Sequence, residues 1–325
     1  MKRTSLLILI FTLLLALCSC GSQTEYTEIA ATTLPVCEFT SRLCAGTDLT
    51  VTRLVTESVS CLHDYSLNVN QVRAAATADL IIINGTHLEE FMEDLLADKP
   101  VIDSSEGIEI LESTEGHDHE HEENHEGHHH AVDSHIWLSP ENAKVMASNI
   151  CAGLTARYPQ HADIFTANLE TLLSDLDTLQ SYGEAQLSDL SCRDLITFHD
   201  GFGYFAESFD LHILEAVEEE SGSEASAAEL KHLIGVVREH DLPAIFIETN
   251  GSDSAASVIA RETGVGVFTL DMAMAGDSYF DSMYHNIDTL KEALGGEISD
   301  TAAPATIPAA CVFKICRSRS AVIKS

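Results

Sequence analysis

The chain has 325 residues, of which 45% are apolar, and this is enough for one large domain or two domains of ordinary size. It carries 52 acidic residues against 17 basic ones, so its formal net charge is −35 at pH 7. A surface with this charge repels the phosphate backbone of nucleic acids and attracts cations. The composition therefore argues against a nucleic-acid-binding protein and favours one that handles positive ions.

Residues 1–20 have the pattern of a lipoprotein signal peptide and lipobox. Two basic residues precede an apolar run over 6–17, which is shorter than the roughly 20 residues needed to span a membrane. The run ends in Leu-Cys-Ser-Cys-Gly, where Cys20 follows a small serine and is the better candidate for lipidation. We expect lipid on Cys20 and a polar tether over 21–27, with plain secretion as the alternative.

Short apolar runs alternate with helical patterns in the next part of the chain. The predicted elements are strands over 29–36, 49–55, 79–84 and 101–102 and helices over 69–78 and 87–97. Such alternation is typical of βαβ units around a parallel sheet. We therefore expect an N-terminal α/β lobe over residues 28–158.

An acidic, histidine-rich loop over 103–134 interrupts this lobe. Between residues 116 and 130 it has no apolar residue, so it cannot contribute to a core. Its imidazoles are expected to bind metal weakly and interchangeably, and a solvated loop without a metal role is the alternative. The seven histidines concerned are His117, His119, His121, His125, His128, His129 and His130.

A literal H-E-x-x-H lies inside this loop, from His121 to His125. A zinc protease needs this motif on a helix, packed so that both histidines hold the metal rigidly. The loop offers no apolar stripe for such packing. The motif therefore does not predict a protease.

The second half of the chain predicts a long helical region and then another lobe. Ser139 and Pro140 are a typical N-cap and first residue of a helix. The helical pattern from there to about residue 190 is too long for one βαβ crossover, so we expect its second part, over 159–188, to connect two lobes. The elements that follow are strands over 194–198, 211–217, 244–248 and 266–270 and helices over 226–240, 254–263 and 278–294. They predict a C-terminal α/β lobe over 189–296; the basic tail over 297–325 has no structural interpretation.

Histidines and carboxylates occur where the predicted strands end. His63, His199 and Asp271 each follow a strand, Glu248 ends one, and His135 precedes a helix. Ligands of open α/β sheets bind outside the carboxyl ends of the strands. Three imidazoles and one carboxylate suit tetrahedral Zn²⁺, whereas Mn²⁺ prefers more oxygen ligands. We predict a zinc site from His63, His135, His199 and Asp271, with Glu248 orienting a ligand or replacing one.

Cys61 lies two residues before His63. In an exported chain, we expect it to form a disulfide with Cys37 or Cys44. A thiolate ligand to the metal is the alternative.

These residues lie in stretches that resemble the zinc and manganese solute-binding lipoproteins of ABC importers (cluster A-I). The matching stretches cover about residues 28–295 in family order: LHDYSL, ADLIIINGTHLEEFM, DSHIWLSPENAK, ITFHDGFGYFAESFDL, AIFIETNGS, FTLDMA and MYHNIDTLKEAL. The resemblance implies two parallel-sheet α/β lobes joined by a long rigid helix, with one metal in the cleft. By this resemblance, His63, His135 and His199 fall on ligand positions and Asp271 on the carboxylate position. The histidine of FHD resembles the zinc-type branch.

The resemblance also implies a function. It indicates a receptor outside the cytoplasm, tethered by lipid to the bacterial cell membrane, that delivers Zn²⁺ to an ABC permease driven by a cytoplasmic ATPase. We expect a monomer that is not an enzyme. Three alternatives stay open: a manganese-specific receptor of the same kind, a zinc hydrolase with Glu248 as base, and a metal-binding adhesin.

Overall fold

The computed structural model describes residues 28–57, 62, 65–112, 132–217, 225–249 and 251–295. Two four-stranded parallel sheets form the frame of two α/β lobes. The predicted fold class is therefore confirmed. Within the described ranges, none of the helices combines the length and the apolar character that crossing a bilayer requires.

The first lobe has the strand order β2-β1-β3-β4. Its strands are β1 (Ile29–Ala31), β2 (Val51–Arg53), β3 (Leu80–Ile83) and β4 (Val101–Asp103). Its helices are α1 (Leu34–Leu43), α2 (Val69–Thr77), α3 (Glu93–Leu96) and α4 (Pro140–Arg157). The central strands β1 and β3 are apolar runs buried on both faces, as parallel sheets require.

Two predictions for this lobe are wrong in extent. The predicted strand over 29–36 ends at Ala31, because Pro35 occupies the first turn of α1, where its missing N–H leaves no helical hydrogen bond unmade. The predicted helix over 87–97 is a 3₁₀ turn over Glu90–Met92 followed by the short α3. Thr86 and His87 have positive φ angles of 52° and 65°, so the chain cannot enter a helix there.

The second lobe has the strand order β6-β5-β7-β8. Its strands are β5 (Asp194–Thr197), β6 (His212–Ala216), β7 (Ala244–Glu248) and β8 (Gly266–Leu270). Its helices are α6 (Gly203–Ser208), α7 (Ala227–Glu239), α8 (Ser254–Thr263) and α9 (Tyr279–Leu294). The bounds of β7, α8 and β8 agree with the sequence prediction.

A long helix, α5 (Ala162–Leu187), joins the lobes. Its 26 residues correspond to about 39 Å of helix. It packs on α1 and α4 of the first lobe and on α9 of the second. Its buried residues belong to a core cluster that also contains Phe39 of the first lobe and Leu290 of the second. The two lobes therefore share one continuous core.

Cys61 lies outside the described residues, and its two expected disulfide partners, Cys37 and Cys44, are free thiols in the structure. The side chain of Cys44 is buried in the shared core, and that of Cys37 packs against it. Burial raises the pKa of the Cys44 thiol to about 12. Both cysteines therefore act as small apolar residues here.

Candidate metal centre

Two of the predicted ligands meet between the lobes. His199 follows β5 in the second lobe, and His135 precedes the turn that leads into α4 in the first. Their Nε2 atoms are 3.3 Å apart, and their rings are nearly perpendicular, with centroids 5.0 Å apart and an interplanar angle of 88°. Two nitrogens bound to tetrahedral zinc are about 3.4 Å apart. The pair therefore has the spacing of two neighbouring zinc ligands.

Each imidazole is held from behind by a carboxylate. Oδ1 of Asp133 lies 2.8 Å from Nδ1 of His135 and also accepts a hydrogen bond from its backbone N–H. Oε1 of Glu248 lies 3.1 Å from Nδ1 of His199. A carboxylate at Nδ1 keeps the proton on that nitrogen, so the Nε2 lone pair points the other way.

This arrangement favours a cation between the rings. With both Nδ1 atoms protonated, the two Nε2 atoms present lone pairs to each other at 3.3 Å. Two facing lone pairs repel unless a proton or a metal ion lies between them. Both histidine side chains are mostly buried, with exposed fractions of 4% and 13%, so water screens this repulsion poorly.

The segment that carries His135 is fixed through its neighbour Ser134. The Ser134 hydroxyl donates to the carbonyl of Thr86 at 2.6 Å. The Ser134 carbonyl accepts from the side-chain amide of Asn84 at 3.1 Å. Both partners belong to the loop after β3, so the end of that strand positions the ligand.

A buried glutamate, Glu89, holds this loop in turn. Its carboxylate accepts hydrogen bonds from the Thr32 hydroxyl at 2.6 Å and from the backbone N–H groups of Asn84 and Gly85. Burial raises the pKa of Glu89 to about 7, against its ordinary value of 4.5, although these hydrogen bonds lower it. The support behind His135 therefore contains a group that titrates near neutral pH.

Asn286 of α9 fixes the position of Asp271 through hydrogen bonds to its backbone. Asn286, which is fully buried, accepts from the Asp271 N–H at 2.8 Å and donates to its carbonyl at 2.7 Å. The Ala273 N–H donates to the carboxylate oxygen Oδ1 at 2.7 Å. These three bonds fix both the backbone and the carboxylate of Asp271.

Gly201 shows how closely the elements converge. A Cβ atom built there would lie 2.7 Å from Cδ2 of His199, 2.9 Å from Cε1 of His135 and 2.7 Å from Cε of Met272. Met272 directly follows Asp271, so the predicted carboxylate lies on the residue adjacent to this meeting point. The close approach needs a residue without a side chain.

Trp137 bridges the lobes next to the site. Its indole N–H donates to the Met272 carbonyl at 2.7 Å, and its own carbonyl accepts from the Tyr279 hydroxyl at 2.8 Å. Both aromatic side chains are fully buried. The bridge therefore sets the distance between the segment with His135 and the segment with Asp271.

Several predicted site residues lie outside the described residues. These are the ligand His63, the lipidation site Cys20 and the seven loop histidines His117, His119, His121, His125, His128, His129 and His130. Among the side chains that the structure does describe, no three His, Cys, Asp or Glu groups are arranged so that they could hold a metal ion. The complete ligand set therefore stays a prediction.

Sequence reasoning missed two supporting residues, Asp133 and Asn286. Asp133 stands two residues before a predicted ligand, a spacing at which an aspartate readily bonds the following backbone N–H. That spacing is a usable signal. The partner of Asn286 is 15 residues away on another element, and no local pattern indicates it.

The fold and the site together define a class of protein: two parallel-sheet lobes with a pair of carboxylate-backed imidazoles between them. Residues 29–293 match the model of the family described as zinc-uptake complex component A, periplasmic (ZnuA), and the chain belongs to this family.

Individual relatives are similar over most of this chain. Zinc-binding protein AdcA of Streptococcus pyogenes serotype M3 is 30% identical over 286 residues, which cover 81% of this chain and 55% of AdcA. Zinc-binding lipoprotein AdcA of Streptococcus pneumoniae strain R6 is 28% identical over 312 residues, which cover 91% and 62%. The chain thus spans less than two thirds of these relatives. A crystal structure of a zinc-bound ZnuA deletion mutant is similar with a TM-score of 0.70 and 28% identity, covering 84% of this chain and 100% of that one.

Proposed function

We propose that this chain is an extracytoplasmic receptor that binds Zn²⁺ between its lobes and delivers it to an ABC importer. The observation that carries the proposal is the His135–His199 pair, with Nε2 atoms 3.3 Å apart and a carboxylate on each Nδ1. This geometry orients two neutral nitrogen donors toward one point, as a zinc site requires. Family membership and the zinc-binding names of the relatives agree with it.

The proposed ligand set is His63, His135, His199 and Asp271. Four protein ligands close a tetrahedral site, whereas a catalytic zinc keeps one position for water. The carboxylate of Glu248 lies against Nδ1 of His199, which suits a group that orients a ligand better than a general base. We therefore propose that the protein binds and releases the ion and is not an enzyme.

Zinc is the proposed cargo, and manganese is the alternative. Imidazole ligands suit Zn²⁺, whereas Mn²⁺ favours oxygen-rich sites. The proposed set has three nitrogens and one carboxylate. Direct competition between Zn²⁺ and Mn²⁺ separates the two receptors.

The location and partners follow from the N-terminal sequence and the family. Lipid on Cys20 would tether the chain outside the bacterial cell membrane. There a permease with a cytoplasmic ATPase would receive the ion. The receptor would act as a monomer. The seven histidines between residues 117 and 130 would bind metal weakly and raise its local concentration near the cleft.

The test is a zinc competition titration against a chromogenic chelator. A variant lacking residues 116–130 should retain one tight Zn²⁺, because the cleft ligands lie outside the deletion. His135→Ala and His199→Ala in that background should each lose about 100-fold or more in affinity, beyond the tenfold to 100-fold typical of supporting residues. His212→Ala is the matched control, since His212 pairs with Asp194 on the surface.

Two results would contradict the proposal. One is tight stoichiometric zinc that survives in the His135→Ala/His199→Ala double variant. The other is the absence of any tight site after the loop is removed. Preference for Mn²⁺ over Zn²⁺ in the same titration would instead select the manganese receptor.

A further inference from the structure

One tyrosine hydroxyl forms hydrogen bonds across the lobes from the helix that follows His199. Tyr204 lies in α6, five residues after His199. Its oxygen accepts a hydrogen bond from the Leu111 N–H at 2.9 Å, and its O–H donates to the Glu109 carbonyl at 3.4 Å. Leu111 and Glu109 belong to the first lobe. The hydroxyl therefore connects the helix that follows one predicted ligand to the opposite lobe.

From Leu111 the hydrogen bonds continue to the other ligand. The Leu111 carbonyl accepts from the Asp133 N–H at 3.1 Å. The Asp133 carboxylate in turn lies 2.8 Å from Nδ1 of His135. These contacts form a relay of three steps, from Tyr204 through Leu111 and Asp133 to His135. One end is His135 itself, and the other lies on the helix that follows His199.

Close packing accompanies the relay where α6 begins. A Cβ atom on Gly203 would lie 2.9 Å from Oδ2 of Asp133, so the start of α6 touches this carboxylate. Next to it is a cavity of about 370 Å³, lined by Leu111 and Glu112 on one side and by Glu207 and Ile213 on the other. The hydroxyl and the Gly203 contact both join the lobes beside this cavity.

The Tyr204 hydroxyl is suited to a permanent connection. The side chain is 2% exposed, so water competes little for its hydrogen bonds. Burial raises the pKa of Tyr204 above its usual 10, and the nearby Asp133 and Glu207 charges raise it further. The hydroxyl therefore stays protonated at physiological pH and keeps both donor and acceptor functions.

We propose that Tyr204 is a positioning residue of the metal centre, which holds His135 against His199 through Leu111 and Asp133 and thereby slows release of the bound ion. The inference rests on the proposed function, because it assumes that the two histidines share an ion. In this proposal, Tyr204 acts through the relay of hydrogen bonds.

The test is the rate at which zinc-loaded full-length protein releases its ion to excess chelator, followed by chelator absorbance. Tyr204→Phe removes the hydroxyl and keeps the ring. A single neutral hydrogen bond contributes about 0.5–1.5 kcal/mol, so release should become roughly threefold to tenfold faster. The matched control is Tyr182→Phe, which removes a hydroxyl bonded to Asp288 at 2.6 Å between α5 and α9, and it should release zinc at the parent rate.

A second measurement separates positioning from a general loss of stability. Tyr204→Phe should change the melting temperature of the metal-free protein no more than Tyr182→Phe does. In an Asp133→Ala background, Tyr204→Phe should have no further effect on release, because the relay is already broken.

Three outcomes overturn the inference: a parent release rate in Tyr204→Phe, equal acceleration in both tyrosine variants, or full additivity with Asp133→Ala. If the parent protein binds no zinc tightly, the proposed function fails as well. If the parent binds zinc tightly and Tyr204→Phe behaves like it, only the positioning inference fails.

Discussion

The lobes meet at two seams that differ in kind. The inner seam consists of Trp137, Met272, Tyr279 and Glu38, with fully buried aromatic rings and hydrogen bonds of 2.6–2.8 Å. The outer seam consists of the Tyr204 hydroxyl and the backbone around Leu111, beside a cavity of about 370 Å³. Both seams border the same core cluster, but at the outer seam the Tyr204 hydroxyl links the lobes through two hydrogen bonds.

The difference suggests that the inner seam mainly stabilises the fold and that the outer seam mainly positions the predicted metal ligands. Removing part of a packed aromatic seam exposes apolar surface and leaves cavities, so it weakens the whole fold. Removing one hydrogen bond from the outer seam affects mainly what that bond positions. We therefore expect changes at the inner seam to alter stability first, and changes at the outer seam to alter metal binding first.

The largest effect is expected from Trp137→Ala at the inner seam. Truncating a buried tryptophan typically costs about 3–5 kcal/mol, because apolar contacts are lost and a cavity remains. In a protein of this size, that loss corresponds to a fall in melting temperature of roughly 10 °C. Thermal unfolding of the metal-free protein measures it. Val145→Ala, at a half-exposed position on α4, should change little, and equal shifts in the two variants would remove the distinction between the seams.

A smaller effect, confined to zinc affinity, is expected from Asp133→Asn at the outer seam. The amide keeps an acceptor oxygen but loses the charge that orients His135, and loss of such support typically lowers metal affinity by about tenfold to 100-fold. Chelator competition measures the affinity, and the melting temperature of the metal-free protein should stay near the parent value. Glu215→Gln is the matched control, because Glu215 pairs with His232 at 2.9 Å on the surface. Unchanged affinity in Asp133→Asn would argue that the outer seam does not support the site.

The smallest effect is expected from pH and concerns Glu89, behind the segment that carries His135. Its pKa of about 7 in the folded chain lies above the ordinary 4.5 because of burial. The folded protein therefore binds this proton more tightly than the unfolded chain does. The resulting stabilisation is complete below about pH 4.5 and is lost as the pH rises through about 7.

Glu89→Gln tests this dependence, since glutamine does not titrate. Between pH 5 and pH 8, the melting temperature of the metal-free parent should fall by a few degrees relative to that of the variant. Glu170→Gln, at an exposed position on α5, should follow the parent curve. Parallel curves for the parent and Glu89→Gln would mean that Glu89 does not titrate in this range.

The sequence predicts the second lobe better than the first, for physical reasons. The apolar runs of β7 and β8 stand between turn residues, and α8 ends at Gly264, whose φ of +84° suits a helix end. Local patterns therefore define these elements. In the first lobe, the sequence pattern over 29–36 looks like one strand but is interrupted by the helix that begins near Pro35. The pattern over 87–97 looks like one helix but is interrupted by the positive φ angles at Thr86 and His87.

The residues of the candidate site also differ in whether local sequence patterns indicate them. His135, His199 and Glu248 can be picked out because they stand next to the ends of regular elements, and the structure brings them together. Tyr204 and Asn286 act through partners that are far away in the chain, so only the folded structure reveals them. His63 as a third nitrogen ligand and Asp271 as the oxygen ligand stay predictions that the zinc titrations address.

The single tryptophan of the chain lies in the inner seam, with its ring centroid 5.3 Å from that of His135. All indole emission therefore comes from one fully buried position that touches both lobes. Fluorescence excited at the indole band follows the surroundings of this ring without any attached dye. A change in its intensity or wavelength on adding zinc to the purified protein gives a label-free optical signal for the state of the centre.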